Sequence, residues 1–388
     1  MKNVKKNTLP RCPLCEHYDY PVVYSPRNST FDAKVHLCLG CSYLGLVPSD
    51  KLSQRSPRSN ILSCDADYST IRVGKEQMLE QSWAMIIKFL DLTLCRRILD
   101  LSSARGHFVK KVLTEIEHIE ITCLEPDVYM TQDYSSIREL RIIHSSQDLD
   151  MESQKFDLIY SCHSLEHYRD PLKNLRLMIS HLSVDGSIYL EVPNAEAMTS
   201  RFVVEEFFYD QHKSYFYESV LTRAVESVGL KICNSQTDSS AIRLILKRND
   251  RQQTSIKSGE NLSTIVRSNV ENYAEKLREN RMRLPSIVSN WNLDTQNKSL
   301  GIVGCGRMLD ALVTYGGLKV EDKTQLYDSI LSKIDYFRRG NQVMALSSIA
   351  DNRPNQVVIA ANSSANELTK RVQELSPDSE VFSIFTNM

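Results

Sequence analysis

Arg97-Ile-Leu-Asp-Leu-Ser-Ser-Ala-Arg-Gly106 is the stretch that decides the fold. It begins as an apolar strand, meets the acid Asp100, and continues into a loop whose Ser102, Ser103, Ala104 and Gly106 are all small. His107 to Ile116 then reads as a helix. Small side chains at a strand-to-helix turn let the backbone approach a bound ligand closely. Outward from this turn, strands and helices alternate. Glu120 to Leu124, Asp157 to Ser161, Ser187 to Val192 and Ala241 to Leu246 read as strands, and Glu76 to Leu92 and Leu172 to Leu182 as helices. That alternation predicts a parallel sheet with helices on both faces.

The chain has 388 residues, more than a single core usually fills. Its 47 basic and 48 acidic side chains nearly cancel. No global field therefore draws it onto nucleic acid or an anionic membrane, and neither partner is expected. The start Met1-Lys-Asn-Val-Lys-Lys-Asn leads into no apolar stretch, and no run approaches the ~18 residues of a membrane helix. A cytoplasmic protein acting on a small molecule is the expectation. Six of the ten cysteines, Cys64, Cys95, Cys123, Cys162, Cys233 and Cys305, are scattered and are expected as small buried hydrophobes.

The other four form Cys12-Pro-Leu-Cys15 and, after twenty-two intervening residues, Cys38-Leu-Gly-Cys41. Two such knuckles offer four soft thiolates to one tetrahedral Zn2+. With all four positions closed, no site is left for an activated water, so the metal is expected to be structural. A polar stretch from Asp50 to Asn60 reads as a linker. The expected divisions are a head with its linker over 1–60, a core over 61–250, and a connecting helix with a second α/β domain over 251–388. The last opens at Ser299 to Val303 and carries Gly301-Ile-Val-Gly304-Cys-Gly306-Arg307, either a tight structural turn or a helix N-terminus that holds a phosphate.

The core's motifs resemble the class I methyltransferase family, which binds S-adenosylmethionine. That family's first motif runs acid-x-Gly-x-Gly-x-Gly; here Asp100 is followed by Ser102, Ala104 and Gly106. Support comes from Phe156-Asp-Leu-Ile-Tyr-Ser161, Leu165-Glu-His167 and the passage through Gly186 to Pro193. The resemblance implies an α/β, Rossmann-like methyltransferase core, with a zinc-ribbon-type head and a smaller Rossmann-like C-terminal domain. It implies that Glu125, ending the second strand beside Pro126, accepts the ribose hydroxyls. Asp148 or its neighbours would lie near the adenine, and Ser161 would line the methionine side.

Over nearly the full chain the architecture is similar to the three-domain, zinc-containing sugar C-methyltransferases that modify nucleotide-linked deoxysugars. In that family a Tyr-x-Glu-His element and a Leu-Glu-His histidine line the acceptor site. This sequence offers Tyr209-Asp-Gln211-His212, His167 and a further match at Tyr68. Carbon attacks a methyl sulfonium only as an enolate, so a base must remove a proton beside a keto group while a donor holds the oxyanion. Histidine suits the base role because its ordinary pKa is near neutral. Gln211 stands where the family has Glu, and a neutral amide cannot act as a base, so His212 is the expected base. His163 is expected to be structural.

Two other readings fit the same motifs. One is an O- or N-methyltransferase of another small molecule, which needs no enolate base. The other is a non-catalytic zinc-ribbon protein whose basic Lys2, Lys5, Lys6 and Arg11 grip a polynucleotide while a degenerate core serves as scaffold.

Overall fold

The computed structural model describes residues 10–27, 29, 31–48, 75–131, 134–137, 140–150, 154–199, 203–249, 261–328, 337–361 and 364–385. Tyr68 and the linker lie outside the described residues, as does Cys64. The chain forms two compact units. One holds the described residues up to Asn272, except a short segment ending at Phe207; that segment and the chain from Tyr273 onward form the other.

In the first unit, β1 (Val22–Tyr24), β2 (Lys34–Leu37) and β3 (Leu44–Val47) make an antiparallel head sheet. The core then supplies β4 (Arg97–Leu101), β5 (Glu120–Leu124), β6 (Leu140–Ile143), β7 (Phe156–Cys162), β8 (Leu182–Pro193), β9 (Ser214–Tyr215), β10 (Leu230–Thr237) and β11 (Ala241–Arg248). Seven of these form one sheet in the order β10-β11-β8-β7-β4-β5-β6. Strands β4 to β8 run parallel, while β11 is antiparallel to both β8 and β10.

The helix His107–Glu115 buries Phe108, Val109 and Val112 against Ile98, Ile121 and Leu158 of the sheet, joined by Trp83 and Ile86 of the helix Lys75–Phe89. Asp170 caps the helix Pro171–His181 by accepting the Lys173 amide, with Pro171 in the first turn, where its missing N–H is no loss. Strand β8 starts five residues earlier than its apolar run suggests. A register shift absorbs the polar segment, and Gly186 fits only because a Cβ there would lie 2.9 Å from the Phe156 carbonyl.

The sheet's two edges, β6 and β10, were not visible as strands in the sequence. Strand β10 exposes alternate residues and lacks a continuous apolar run, as suits a solvated edge. Cys233 lies on it and is exposed, contrary to the burial expected of it, whereas Cys123, Cys162 and Cys305 are buried.

In the second unit, β12 (Leu300–Val303), β13 (Gln325–Tyr327), β14 (Phe337–Arg338), β15 (Asn341–Met344), β16 (Gln356–Ile359) and β17 (Glu380–Ser383) form a sheet in the order β14-β15-β13-β12-β16-β17, with only β14 antiparallel. Apolar clusters cover both faces, one around Ile302, Leu309, Leu312 and Val358, the other around Tyr327, Ile349, Val357 and Val372. This is a second Rossmann-like layer arrangement. The glycine turn has a packing cause of its own. Gly304 takes φ +92°, a Cβ on it would lie 2.6 Å from the Ala360 carbonyl, and Asp328 accepts the Cys305 amide. The connecting helix runs Leu262–Asn290. No described helix is long and apolar enough to cross a membrane.

Candidate active site

The chain steps from β4 outward to β5 and β6, then returns to place β7 on the other side of β4. Ligands of open α/β sheets bind at such a reversal, outside the carboxyl ends of the strands. Two loops meet there. The loop after β4 carries Ser102 to Gly106, the loop after β7 carries His163 to His167, and the Ser102 and Ser164 hydroxyls bridge them at 2.8 Å.

All three glycine-like positions of the first loop are in the left-handed region: Ser102 at φ +63°, Ala104 at +48° and Gly106 at +71°. For the two residues with side chains this conformation costs about 1–2 kcal/mol each. Gly106 is required for a second reason, because a Cβ would sit 2.5 Å from the Tyr134 ring. Glu125 follows β5 and lies beneath the loop. Its Oε2 accepts the Ala104 amide at 2.9 Å and its Oε1 the Asp127 amide at 3.0 Å. Each carboxylate oxygen keeps a lone pair for a further donor such as a ribose hydroxyl. Asp100 is buried in β4; Pro126, beside Glu125, is half-buried. Asp148 lies on the helix Ser146–Asp150 that follows β6. Ser161 is buried between Leu101 and Leu190, and its hydroxyl has no hydrogen-bond partner among the described residues. Small loop residues, a buried carboxylate at the second strand and an unengaged polar atom at the fourth fit a nucleoside-bearing ligand.

Beside this loop, three imidazoles surround Glu166, which is 1% exposed. Its Oε1 lies 3.5 Å from His163 Nδ1, 3.8 Å from His167 Nε2 and 3.8 Å from His212 Nε2. The Tyr209 hydroxyl is 2.7 Å from His212 Nε2. His167 Nδ1 donates to the Gln211 carbonyl at 3.0 Å, which turns its Nε2 toward Glu166. The Lys213 amide donates to the Glu166 carbonyl at 2.7 Å, tying the Tyr209–His212 element to the turn after β7. Burial alone would push the Glu166 carboxyl up, but His167, His163 and His212 hold it well below the usual range.

His163 is more than a packing residue. It takes φ +48° and bridges two buried carboxylates, with its Nε2 3.2 Å from Glu191 Oε1. Burial opposes its charged form, but Glu166 and Glu191 raise its pKa above the usual value. Glu191 in turn accepts from the Tyr189 hydroxyl at 2.6 Å and the Ser82 hydroxyl at 2.9 Å, and Arg243 Nε approaches it to 3.3 Å. Arg243 reaches on to Asp238 at 2.6 Å. The sequence carries a signal for this chain of charges. Glu191 and Arg243 each interrupt an apolar run, and charges seldom sit in buried strands without partners; the two strands place them directly opposite one another.

The four cysteines converge as their spacing predicts. Cys12 and Cys41 sulfurs are 3.5 Å apart, Cys15 and Cys38 sulfurs 3.4 Å, and all four lie within 4.8 Å of one another. A tetrahedral zinc with Zn–S near 2.3 Å needs sulfurs about 3.8 Å apart. The knuckles also match each other: the Glu16 and Ser42 amides donate to the Cys12 and Cys38 carbonyls, and both residues take positive φ. The head does not stand apart. Strand β3 pairs with β9, immediately after His212, and the Tyr43 and Ser214 hydroxyls meet at 2.6 Å.

The methyltransferase-domain family model matches residues 65–234 of this chain. These residues form a methyltransferase domain. The match spans the loop after β4, Glu125 and the whole Glu166 cluster of this class I core. No curated protein matches. Among solved structures, this chain shares 13% identity with an S-adenosylmethionine-dependent methyltransferase from Clostridium acetobutylicum, over 48% of this chain and 99% of that one, with a TM-score of 0.39. A Mesorhizobium loti S-adenosylmethionine-dependent methyltransferase is 16% identical over 43% and 97% of the two chains, with a TM-score of 0.35.

Proposed function

We propose that this methyltransferase moves a methyl from S-adenosylmethionine to a carbon of a nucleotide-linked keto-deoxysugar. The observation that carries the reading is the Tyr209–His212 pair set against buried Glu166, one hydroxyl bridge away from the loop that would hold the donor. When bound, the donor supplies an electrophilic methyl on sulfur and keeps the carbon–sulfur electron pair as a thioether. The chain's own residues must make the nucleophile. The Tyr209–His212 pair removes a proton next to the acceptor's carbonyl, the proton ends on His212, and the carbon–hydrogen pair becomes an enolate. His167, oriented by the Gln211 carbonyl, is placed to donate to the developing oxyanion. Asp100, Ser102, Ala104, Gly106, Glu125, Pro126, Asp148 and Ser161 are assigned to the donor. Cys12, Cys15, Cys38 and Cys41 are assigned to a structural zinc that stiffens the head sheet behind the Tyr209–His212 element.

Deuterium exchange tests this. With S-adenosylhomocysteine in place of the donor, a keto-sugar nucleotide in D2O should gain deuterium at the carbon next to its carbonyl, and His212→Ala should abolish the gain. Methyl transfer without exchange in the wild type would instead favour oxygen or nitrogen as the acceptor atom.

A further inference from the structure

The element from Tyr209 to His212 carries a neutral amide at Gln211, and its carboxylate, Asp210, accepts the Ser29 hydroxyl at 2.6 Å, whereas the carboxylate within 4 Å of His212 Nε2 is Glu166, from the turn after β7. We infer that Glu166 is the positioning carboxylate of the acceptor site, holding the imidazolium that His212 becomes. We infer too that His163 sets how much of that charge reaches His212. This rests on the proposed chemistry for its purpose, though not for its test.

The geometry is specific. Glu166 sits in the middle of the 3-10 turn Leu165–His167, and neither carboxylate oxygen has a hydrogen-bond partner among the described residues. A buried carboxylate without such partners persists only if positive charge compensates it. Three imidazoles face it: His163 from the end of β7, His167 from its own turn, and His212 from the element before β9, with Tyr209 behind His212. Of these, His163 also faces a second buried carboxylate, Glu191, itself backed by Arg243, Tyr189 and Ser82. His163 is therefore the resident cation. His212, shared with a tyrosine hydroxyl, is left to gain and lose a proton. When it gains one, Glu166 stands 3.8 Å away, and an opposite charge that close favours the protonated imidazole.

The test reads His212 directly. In the full-length zinc-loaded protein with 13C-labelled histidine, each imidazole is titrated by NMR and assigned by single substitution. In Glu166→Gln, His212 should titrate about 1–2 units lower than in the wild type, and Glu166→Asp should restore most of the loss. His163→Gln should move His212 the other way, upward, because one competitor for Glu166 has gone. A carboxylate with only a structural role would not produce opposite shifts from these two substitutions. A His212 titration within about 0.3 units of wild type in both variants would overturn the assignment. If Glu166→Gln does not fold, a failure of His163→Gln to raise the His212 value overturns it alone. Where the wild type also shows deuterium exchange, the acid limb of its pH profile should fall with the His212 titration in Glu166→Gln. An absence of exchange with the NMR shifts intact would refute the carbon chemistry and leave the positioning role standing.

Discussion

Replacing Arg243 by Met should strip the buried acid chain of its one guanidinium. Glu191 is fully buried and lies opposite Arg243 on the neighbouring strand, with 3.3 Å between Nε and Oε2. The other ion pair of Arg243, to Asp238, contributes little, because the Asp238 side chain is 40% exposed and screened by solvent. The cost therefore comes from stranding Glu191. Removing one member of a buried pair costs about 3–5 kcal/mol. Glu191 keeps His163, Tyr189 and Ser82, so the loss should fall near the low end, about 3 kcal/mol. The chain has two units, so the readout must belong to one of them. Its two tryptophans, Trp83 and Trp291, lie one in each unit, and a Trp291→Phe background leaves Trp83 as the reporter of the first. Urea unfolding followed by its fluorescence should show a midpoint about 1–1.5 M lower. The double variant Arg243→Met, Glu191→Met should recover to within about 1–2 kcal/mol of wild type, since hydrophobic replacement of a whole buried pair is often neutral. The sign with pH is fixed as well. Burial works against the Glu191 charge, while His163, Tyr189 and Arg243 hold its carboxyl low, so its contribution is present above its unfolded pKa and lost as pH falls through the folded value. Without Arg243 the folded value rises, and the deficit should shrink as the pH falls through that raised value. A single variant within about 0.5 kcal/mol of wild type, or a deficit flat with pH, would refute this reasoning.

His163, whose folded pKa is raised, contributes stability that is present below about pH 6.5 and lost as pH rises through its folded value, so melting curves of wild type and His163→Gln should differ most near pH 6 and converge at alkaline pH. Ser102→Gly and Ala104→Gly each relieve left-handed strain of about 1–2 kcal/mol against about 0.4–1 kcal/mol of added unfolded-chain entropy. Calorimetry should show S-adenosylhomocysteine affinity held or improved, and a tenfold loss would contradict the loop assignment. Gly106→Ala, by contrast, meets the Tyr134 ring and should lower the urea midpoint of the first unit. Cys38→Ser should reduce bound zinc from one per chain to none by mass spectrometry of metals, and should lose activity because the head strand β3 pairs with β9 beside His212; full zinc in this variant would contradict the four-thiolate site.

The strands of the core sheet's centre were legible because their apolar runs are bounded by small or polar residues, as at Arg97 to Gly106. The edges β6 and β10 were not, since a half-solvated strand carries no continuous apolar signal. The cysteine cluster followed from spacing alone, and the loop after β4 from its small residues. Glu166 was hidden because its role depends on three imidazoles that meet it from His163, His167 and His212, two of them local and one 46 residues on. His163 looked like packing for the same reason: its second partner, Glu191, arrives from the next strand of the sheet. Partnership across strands is a property of register, and register is set by the fold rather than by any short stretch of sequence.

Methyl transfer requires that a loop with Ser102 and Ala104 in glycine positions hold the methyl donor. Titration of the purified, zinc-loaded full chain with S-adenosylhomocysteine in a calorimeter measures this directly. Binding at one site per chain with Kd on the order of 10 µM, about −7 kcal/mol, is the predicted result, weakened at least tenfold by Glu125→Ala. No heat of binding at ligand concentrations on the order of 1 mM would contradict it.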